Sequence, residues 1–280
     1  MEENKKDVVG LLGRGLIYQH VKSHLEGHHK LMPLTRESSV LQLATCQIVV
    51  YCSDAWSPHT VQEMNRRCLQ AGVALLPVTT QFGEGIIGPC VVPQKRGCTS
   101  CAELRKLGAI SSDADRRLFQ QHLTRQEEPG TIQPWLSSFS LKMLALLVRE
   151  EVKVYLRQPR KLQTECALLV LSLGTLECQR HTFLPVPSCP DCGELGRDGA
   201  ELAMVTLQSR PKADPFTYRT SQPVASTEKI LATYVDSRAG LVSSLVAENT
   251  NLLPIASSRL AAESEGTGGT GCTLRPEQSK

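Results

Sequence analysis

The stretch Val8-Val9-Gly10-Leu11-Leu12-Gly13-Arg14-Gly15, running on into Leu16-Ile17-Tyr18-Gln19-His20-Val21-Lys22-Ser23-His24-Leu25, decides the fold class. Its first half is an apolar run ending in glycines, the pattern of a strand buried on both faces. Its second half sets Ile17, Val21 and Leu25 at four-residue spacing, which is one stripe of a helix. A strand that turns through glycine into a helix opens a parallel α/β sheet. The alternation continues outward. Gln47-Ile48-Val49-Val50-Tyr51-Cys52 predicts a second buried strand, and residues 58–70 predict a helix with Pro58 in its first turn. Val73-Ala74-Leu75-Leu76-Pro77-Val78 predicts a third strand, and residues 83–92 a strand pair about a glycine turn. Helices follow at 102–108, 113–125 and 137–156, the last striped by Leu141, Leu144, Ala145, Val148, Val152 and Tyr155. Residues 167–173 and 176–184 predict a β-hairpin across Gly174-Thr175. The order is βαβα first and antiparallel later, so the expected fold is an α/β, Rossmann-type sheet with an antiparallel extension.

Two Cys-x-x-Cys pairs, Cys98/Cys101 and Cys189/Cys192, carry the strongest chemical signal. Each lies in loop-like sequence, and two intervening residues let both sulfurs turn to one point. Two such knuckles supply the four thiolates that tetrahedral zinc prefers. Four protein ligands leave no open position for water or substrate, so the expected zinc is structural and closes a long loop. The alternative is two unrelated pairs or a redox dithiol, and only the first pair is followed by the helix a thioredoxin-like motif needs. The other seven cysteines, Cys46, Cys52, Cys68, Cys90, Cys166, Cys178 and Cys272, read mostly as buried thiols.

Bulk properties narrow the function classes. The 280 residues are 41 % hydrophobic but only 4 % aromatic, so the core must rest on aliphatic side chains. A net charge of +3 without a basic run argues against a nucleic-acid partner. No apolar run approaches a membrane span, and the charged start Met1-Glu2-Glu3-Asn4-Lys5-Lys6-Asp7 is followed by no signal segment. Eleven cysteines, four of them in metal spacing, fit a reducing cytoplasm better than a disulfide framework.

The glycine-rich start invites a nucleotide reading, but the residues do not complete it. In Gly-x-Gly-x-x-Gly the third glycine lets the helix pack close to the strand; here that place is Tyr18. No acid closes the stretch Lys30-Leu31-Met32-Pro33-Leu34-Thr35-Arg36 to hold a ribose. A tight βα turn without nucleotide is therefore expected, and no residue is assigned a catalytic or cofactor-binding role. His20, His24 and His28 share four-residue spacing but lack a carboxylate partner, and read as a solvated helix face. Ser53, Asp54 and His59 lack a nucleophile elbow. The tract Gly266-Thr267-Gly268-Gly269-Thr270-Gly271 lacks the Gly-Lys-Ser/Thr of a phosphate loop and reads as a flexible loop. Before it, residues 195–215 read as a linker with an edge strand at 200–207. Residues 226–234 read as a helix, and 240–246 and 252–256 as strands.

Several of these segments together carry a family resemblance. They are the βα start, Tyr51-Cys52-Ser53-Asp54-Ala55-Trp56, Phe82-Gly83-Glu84-Gly85-Ile86-Ile87-Gly88-Pro89, Gly97-Cys98-Thr99-Ser100-Cys101-Ala102-Glu103, and His181-Thr182-Phe183-Leu184-Pro185 with Cys189-Pro190-Asp191-Cys192-Gly193. In combination they resemble the ThiF-like C domain of cyclodehydratases that make thiazole/oxazole-modified microcins, a class of bacteriocin. From Asp214-Pro215-Phe216-Thr217-Tyr218-Arg219 onward, and most clearly over Tyr234-Val235-Asp236-Ser237-Arg238-Ala239-Gly240-Leu241-Val242-Ser243-Ser244-Leu245, the chain is similar to the opening of a YcaO domain. The resemblance implies a division into residues 1–200, the ThiF-like domain with its zinc site, and 201–280, a linker and the truncated α+β start of a YcaO domain. It implies that ATP and Mg²⁺ act only in the YcaO portion, on clustered acids expected beyond Lys280. The ThiF-like part then serves as scaffold and regulator, inactive alone, and forms a homodimer. Its partners would be a YcaO domain or protein and a bacteriocin precursor peptide delivered by a separate leader-binding protein. Two other readings stay open: an autonomous ThiF-type adenylating enzyme, and a plain zinc-stapled peptide- or protein-binding module.

Overall fold

The computed structural model describes residues 7–124, 134–194, 199–209, 211, 227–249, 254–260 and 268–272. Its centre is a seven-stranded mixed sheet whose strands lie in the spatial order Lys30–Leu34, Val8–Arg14, Ile48–Ser53, Ala74–Gln81, Glu84–Ile87, Ala167–Ser172 and Cys178–Thr182. β1 (Val8–Arg14) runs parallel to both β2 (Lys30–Leu34) and β3 (Ile48–Ser53), and β3 runs parallel to β4 (Ala74–Gln81). The hairpin partner β5 (Glu84–Ile87) then reverses direction, and β6 (Ala167–Ser172) and β7 (Cys178–Thr182) continue antiparallel. The expected α/β sheet with an antiparallel extension is therefore present. β2, considered in the sequence only as a place for an acid, is the edge strand beside β1.

Alternation along each strand sends side chains to two cores, because successive residues of a strand face opposite ways. Val9 and Leu11 of β1, Ile48 and Val50 of β3, and Leu76 and Val78 of β4 meet one layer of helices. That layer is α1 (Leu16–Leu25) and α6 (Ser138–Arg157). Leu12, Val49, Tyr51 and Leu75 meet the other layer, made of α2 (Val40–Leu43), α3 (Pro58–Ala71) and α4 (Thr99–Ala109). Coverage on both faces is why these strands read as continuous apolar runs. Helix limits follow local chemistry. Pro58 opens α3, and Gly72 ends it in the left-handed conformation at φ 67. Ser137 and Ser140 cap α6 reciprocally. The α6 stripe Leu141, Leu144, Ala145, Val148 and Val152 is buried inside the chain's own core. Tyr155, the last residue of the stripe, is partly buried against the same core.

Beyond the sheet, α5 (Asp113–Thr124) and α7 (Thr227–Tyr234) are helices as expected. A separate antiparallel sheet holds β8 (Val242–Asn249), β9 (Pro254–Leu260) and β10 (Gly268–Cys272) in the order β10-β9-β8. Two expectations are corrected here. Residues 200–207 form no strand: they find no ladder partner, and Leu202, Met204, Val205 and Leu207 stand exposed. The Gly268–Gly271 portion of the glycine tract is not a loop but part of β10, where pairing to β9 supplies the hydrogen bonds that glycine's freedom would otherwise oppose. Gly266, Thr267, Leu252, Leu253, Ser226, Arg125 and the stretch 214–219 lie outside the described residues. The cysteines also divide: Cys46, Cys52, Cys68 and Cys90 are buried, whereas Cys166 is half-buried and Cys178 is exposed on the outer strand β7.

Candidate metal centre

Cys98 is the N-cap of α4 and Cys101 lies in its first turn. Cys189 and Cys192 sit in the loop after β7, whose turn is closed by the Gly193 amide donating to the Cys189 carbonyl at 2.8 Å. A side chain at Gly193 would strike that carbonyl, since its Cβ would lie 2.4 Å from the Cys189 oxygen. Arg105 of α4 ties the two segments together by donating to the carbonyls of Leu184 at 2.9 Å and Pro185 at 3.3 Å. At the rim, Arg96 pairs with Glu194 at 2.7 Å and Lys95 with Glu165 at 2.6 Å.

The four sulfurs all lie within 4.8 Å of one another, three of the residues being buried and the fourth half-buried. Cys98 Sγ is 3.6 Å from Cys189 Sγ, and Cys101 Sγ is 3.4 Å from Cys192 Sγ. Those separations are too long for a disulfide, whose sulfurs lie about 2.05 Å apart. They are close to the sulfur–sulfur edge of about 3.8 Å in a tetrahedron with metal–sulfur bonds near 2.3 Å. The geometry can hold a metal ion, and it is the one such group of His, Cys, Asp and Glu among the described residues.

Protonation follows from the crowding. A hydrogen bond from Cys98 holds the Cys101 thiol down to about 5, aided by the backbone amide of Val186, which donates to the Cys101 sulfur at 3.4 Å. The same shared proton, with burial, drives Cys98 far up. Burial raises Cys189 to about 11, against the amides of Asp191 and Cys192. Four thiolates this close need a cation to coexist, because each further negative charge is opposed by its neighbours.

The residues between the paired cysteines were not singled out by sequence, and they are tied together. Ser100, inside the first knuckle, donates its hydroxyl to the carboxylate of Asp191, inside the second. Asn65 and Arg66 of α3 donate to the same carboxylate at 3.1 and 3.0 Å. Their place between paired cysteines was the only available signal.

At the other end of the sheet, Asp54 fills the position that an anion would take at the start of α1. Its carboxylate accepts the amides of Leu16 at 2.6 Å and Ile17 at 2.9 Å. Tyr18 is half-buried and packs against the core. Next to this turn, the carboxyl ends of β1, β2 and β3 enclose a cavity of about 420 Å³ lined by Gly13, Arg14, Thr35, Arg36, Tyr51 and Ser53, among others. The remaining tempting groups do not assemble. His59 is exposed. His24 bonds the carbonyl of His20 within its helix at 2.8 Å, and His28 lies beyond the end of α1, off the expected face.

No family model matches the chain, and no curated protein matches it. Solved structures do. A heterocyclase in complex with substrate and cofactor is similar with a TM-score of 0.67 at 17 % identity, covering 98 % of this chain and 38 % of that one. The heterocyclase TruD is similar at 0.57 and 19 % identity, covering 86 % of this chain and 34 % of that one. MccB from E. coli, with succinimide, reaches 0.49 at 14 % identity over 68 % of this chain and 67 % of its own. This chain thus spans little more than a third of the length of the two heterocyclases. At such identities the likeness is one of fold, and the chain has the ThiF-like fold that is built into heterocyclases.

Proposed function

We propose that this chain is the ThiF-like, zinc-stapled component of a peptide cyclodehydratase, a scaffold and regulator for a YcaO domain that forms thiazoline or oxazoline rings in bacteriocin precursor peptides. The single observation carrying this is the likeness to a heterocyclase over 98 % of the chain. The four-cysteine cluster supports a structural role for the metal. Cys98, Cys101, Cys189 and Cys192 would hold zinc, whose four bonds to sulfur would lock the loop after β7 to α4 and leave no site for substrate. The remaining elements of the proposal are the division near residue 200, the precursor peptide, the leader-binding protein, a homodimer and a cytoplasmic setting. With the α6 stripe buried, a dimer contact would have to use other surface. No helix among the described residues is long and apolar enough to cross a membrane.

ATP fits the opening of α1 poorly. A phosphate there would meet the carboxylate of Asp54, which already accepts the two leading amides, and like charges repel. Ring formation would therefore draw on ATP in the YcaO partner, and this chain's own part is to position. The adenylating-enzyme reading is favoured by one observation, the cavity with Arg14 and Arg36 at the carboxyl ends of the parallel strands, where ligands of open α/β sheets bind. Calorimetry with ATP and Mg²⁺ separates the two. The scaffold reading expects no binding tighter than about 100 μM, roughly 5.5 kcal/mol. It also expects ATP-dependent loss of water from a precursor peptide only when a YcaO partner is added. Binding tighter than that limit, or adenylation of a carboxylate by this chain alone, would favour the second reading.

A further inference from the structure

We propose that Asp191 is the positioning residue of the metal centre: a buried carboxylate that joins the two Cys-x-x-Cys knuckles to each other and to α3. It holds the four sulfurs in register before a metal arrives. The inference rests on the metal reading above and adds what sets the affinity of that site.

The geometry is specific. Asp191 stands between Cys189 and Cys192, and its side chain is only 4 % exposed. Ser100 stands between Cys98 and Cys101, is buried, and gives its hydroxyl proton to the Asp191 carboxylate. One bond thus links the first turn of α4 to the loop after β7, two segments that the chain itself connects only through a long path. Asn65, fully buried, and Arg66 bring two further donors from consecutive positions of α3. Three donors on one carboxylate offset the cost of burying its charge. Asn65 Oδ1 has no partner among the described residues, so the orientation of that amide is set by the bond its nitrogen makes to Asp191.

Affinity then follows from ordering. Without the strut, only the bonds from Arg105 to the Leu184 and Pro185 carbonyls hold the loop after β7 to α4, so metal binding must itself order the second knuckle against the first, and that cost comes out of the binding free energy. With the strut, the loops are already paired. Hydrogen-bonded groups that orient metal ligands typically account for a 10- to 100-fold change in affinity. Val186, whose amide donates to the Cys101 sulfur, lies close before the same knuckle, so a shift of that loop also weakens this bond to sulfur.

The test uses the full chain loaded with zinc and, separately, with cobalt(II) as a spectroscopic probe. Wild type, Asp191→Ala, Ser100→Ala and the double variant are challenged with a chromogenic chelator, and metal release is followed. The expected result is a 10- to 100-fold weaker metal affinity in Asp191→Ala. Ser100→Ala should lie between it and wild type, and the double variant should be no worse than Asp191→Ala alone. The cobalt absorption bands should broaden or shift in Asp191→Ala, which loss of global stability alone would not do. Ser100→Ala removes only a hydroxyl, and keeps the comparison valid should Asp191→Ala fail to fold. If wild type holds no metal, the metal reading fails. If wild type holds zinc and both single variants release it at the wild-type rate with unchanged cobalt bands, the metal reading stands and the positioning role of Asp191 is overturned.

Discussion

The carboxylate of Asp54 accepts the backbone amide of Leu16 at 2.6 Å, across 38 positions of sequence, and so caps a helix from the end of a different strand. The backbone at Gly15 explains how. It has φ +100, and a Cβ there would lie 2.3 Å from the Asp54 oxygen. The glycines of the opening turn thus make room for an internal carboxylate where related folds make room for a phosphate. Thr80 completes the arrangement by donating to the Asp54 carbonyl at 2.6 Å, which binds the end of β3 to β4.

The first prediction concerns this cap. Asp54→Ala should lower the unfolding free energy by about 1–2 kcal/mol, the range for losing a helix N-cap. Gly15→Ala should cost at least as much, because the added methyl meets both an unfavourable φ and the carboxylate. Urea unfolding followed by circular dichroism measures both. Unchanged midpoints would mean that Asp54 is a surface group without structural weight.

A second prediction follows from the thiol cluster. Cys189→Ser should abolish stoichiometric zinc and lower the thermal midpoint, because binding of a metal by the folded chain alone stabilises it. Cys178→Ser, on the exposed outer strand, should retain zinc. Elemental analysis of the two purified variants provides the comparison, and equal zinc contents would contradict the assignment.

Glu151 sets up the third. It is buried in α6, and its carboxylate accepts the amides of Gln163 at 3.2 Å and Thr164 at 3.1 Å together with the Thr164 hydroxyl. This ties the end of the helix layer to the approach to β6. Glu151→Ala should destabilise by about 2 kcal/mol or more, because three donors lose their acceptor in a dry site. Glu151→Gln should cost less, keeping one acceptor. Equal stability of the alanine variant and wild type would show that water replaces the carboxylate.

The fourth concerns pH and the contact between the main sheet and residues 236–239. Asp236 lies 3.1 Å from His181 Nδ1 on β7 and accepts the amides of Arg238 and Ala239 at 2.9 Å, while Arg238 pairs with Glu84 of β5 at 2.6 and 2.7 Å. Burial opposes the charge of Asp236, but the bond from His181 and the two amides outweigh it and hold the carboxyl below its ordinary 3.8. A value depressed on folding means that the unfolded chain binds more protons in that range. The stabilisation is therefore complete above 3.8 and is lost as pH falls through the lower, folded value. Hydrogen exchange of residues 236–240 should accelerate in that acidic window, relative to the β3 amides, and Asp236→Asn should remove the pH dependence. An acid profile shared by wild type and Asp236→Asn would assign the effect to another group.

Much of this protein was legible along the chain. The apolar runs at β1, β3 and β4 and the stripes of α1 and α6 follow directly from burial on both sheet faces, because periodicity records which neighbours a residue must meet. The two Cys-x-x-Cys pairs were legible because ligand spacing is local chemistry. Pairing was not. Nothing in Gly268–Cys272 distinguishes a loop from a strand until β9 lies beside it, and nothing in residues 200–207 reveals that no strand will. The same limit hid Asp54 and Asp191. Each is a short acid in a polar stretch, and its role rests on amides, hydroxyls and a guanidinium brought near from distant sequence. Sequence by itself determined the layers and pointed to the four cysteines that come together, since both depend on residue type at short spacing. Only the tertiary structure decided what the buried carboxylates hold, since a hydrogen bond depends on where distant segments of chain come to rest.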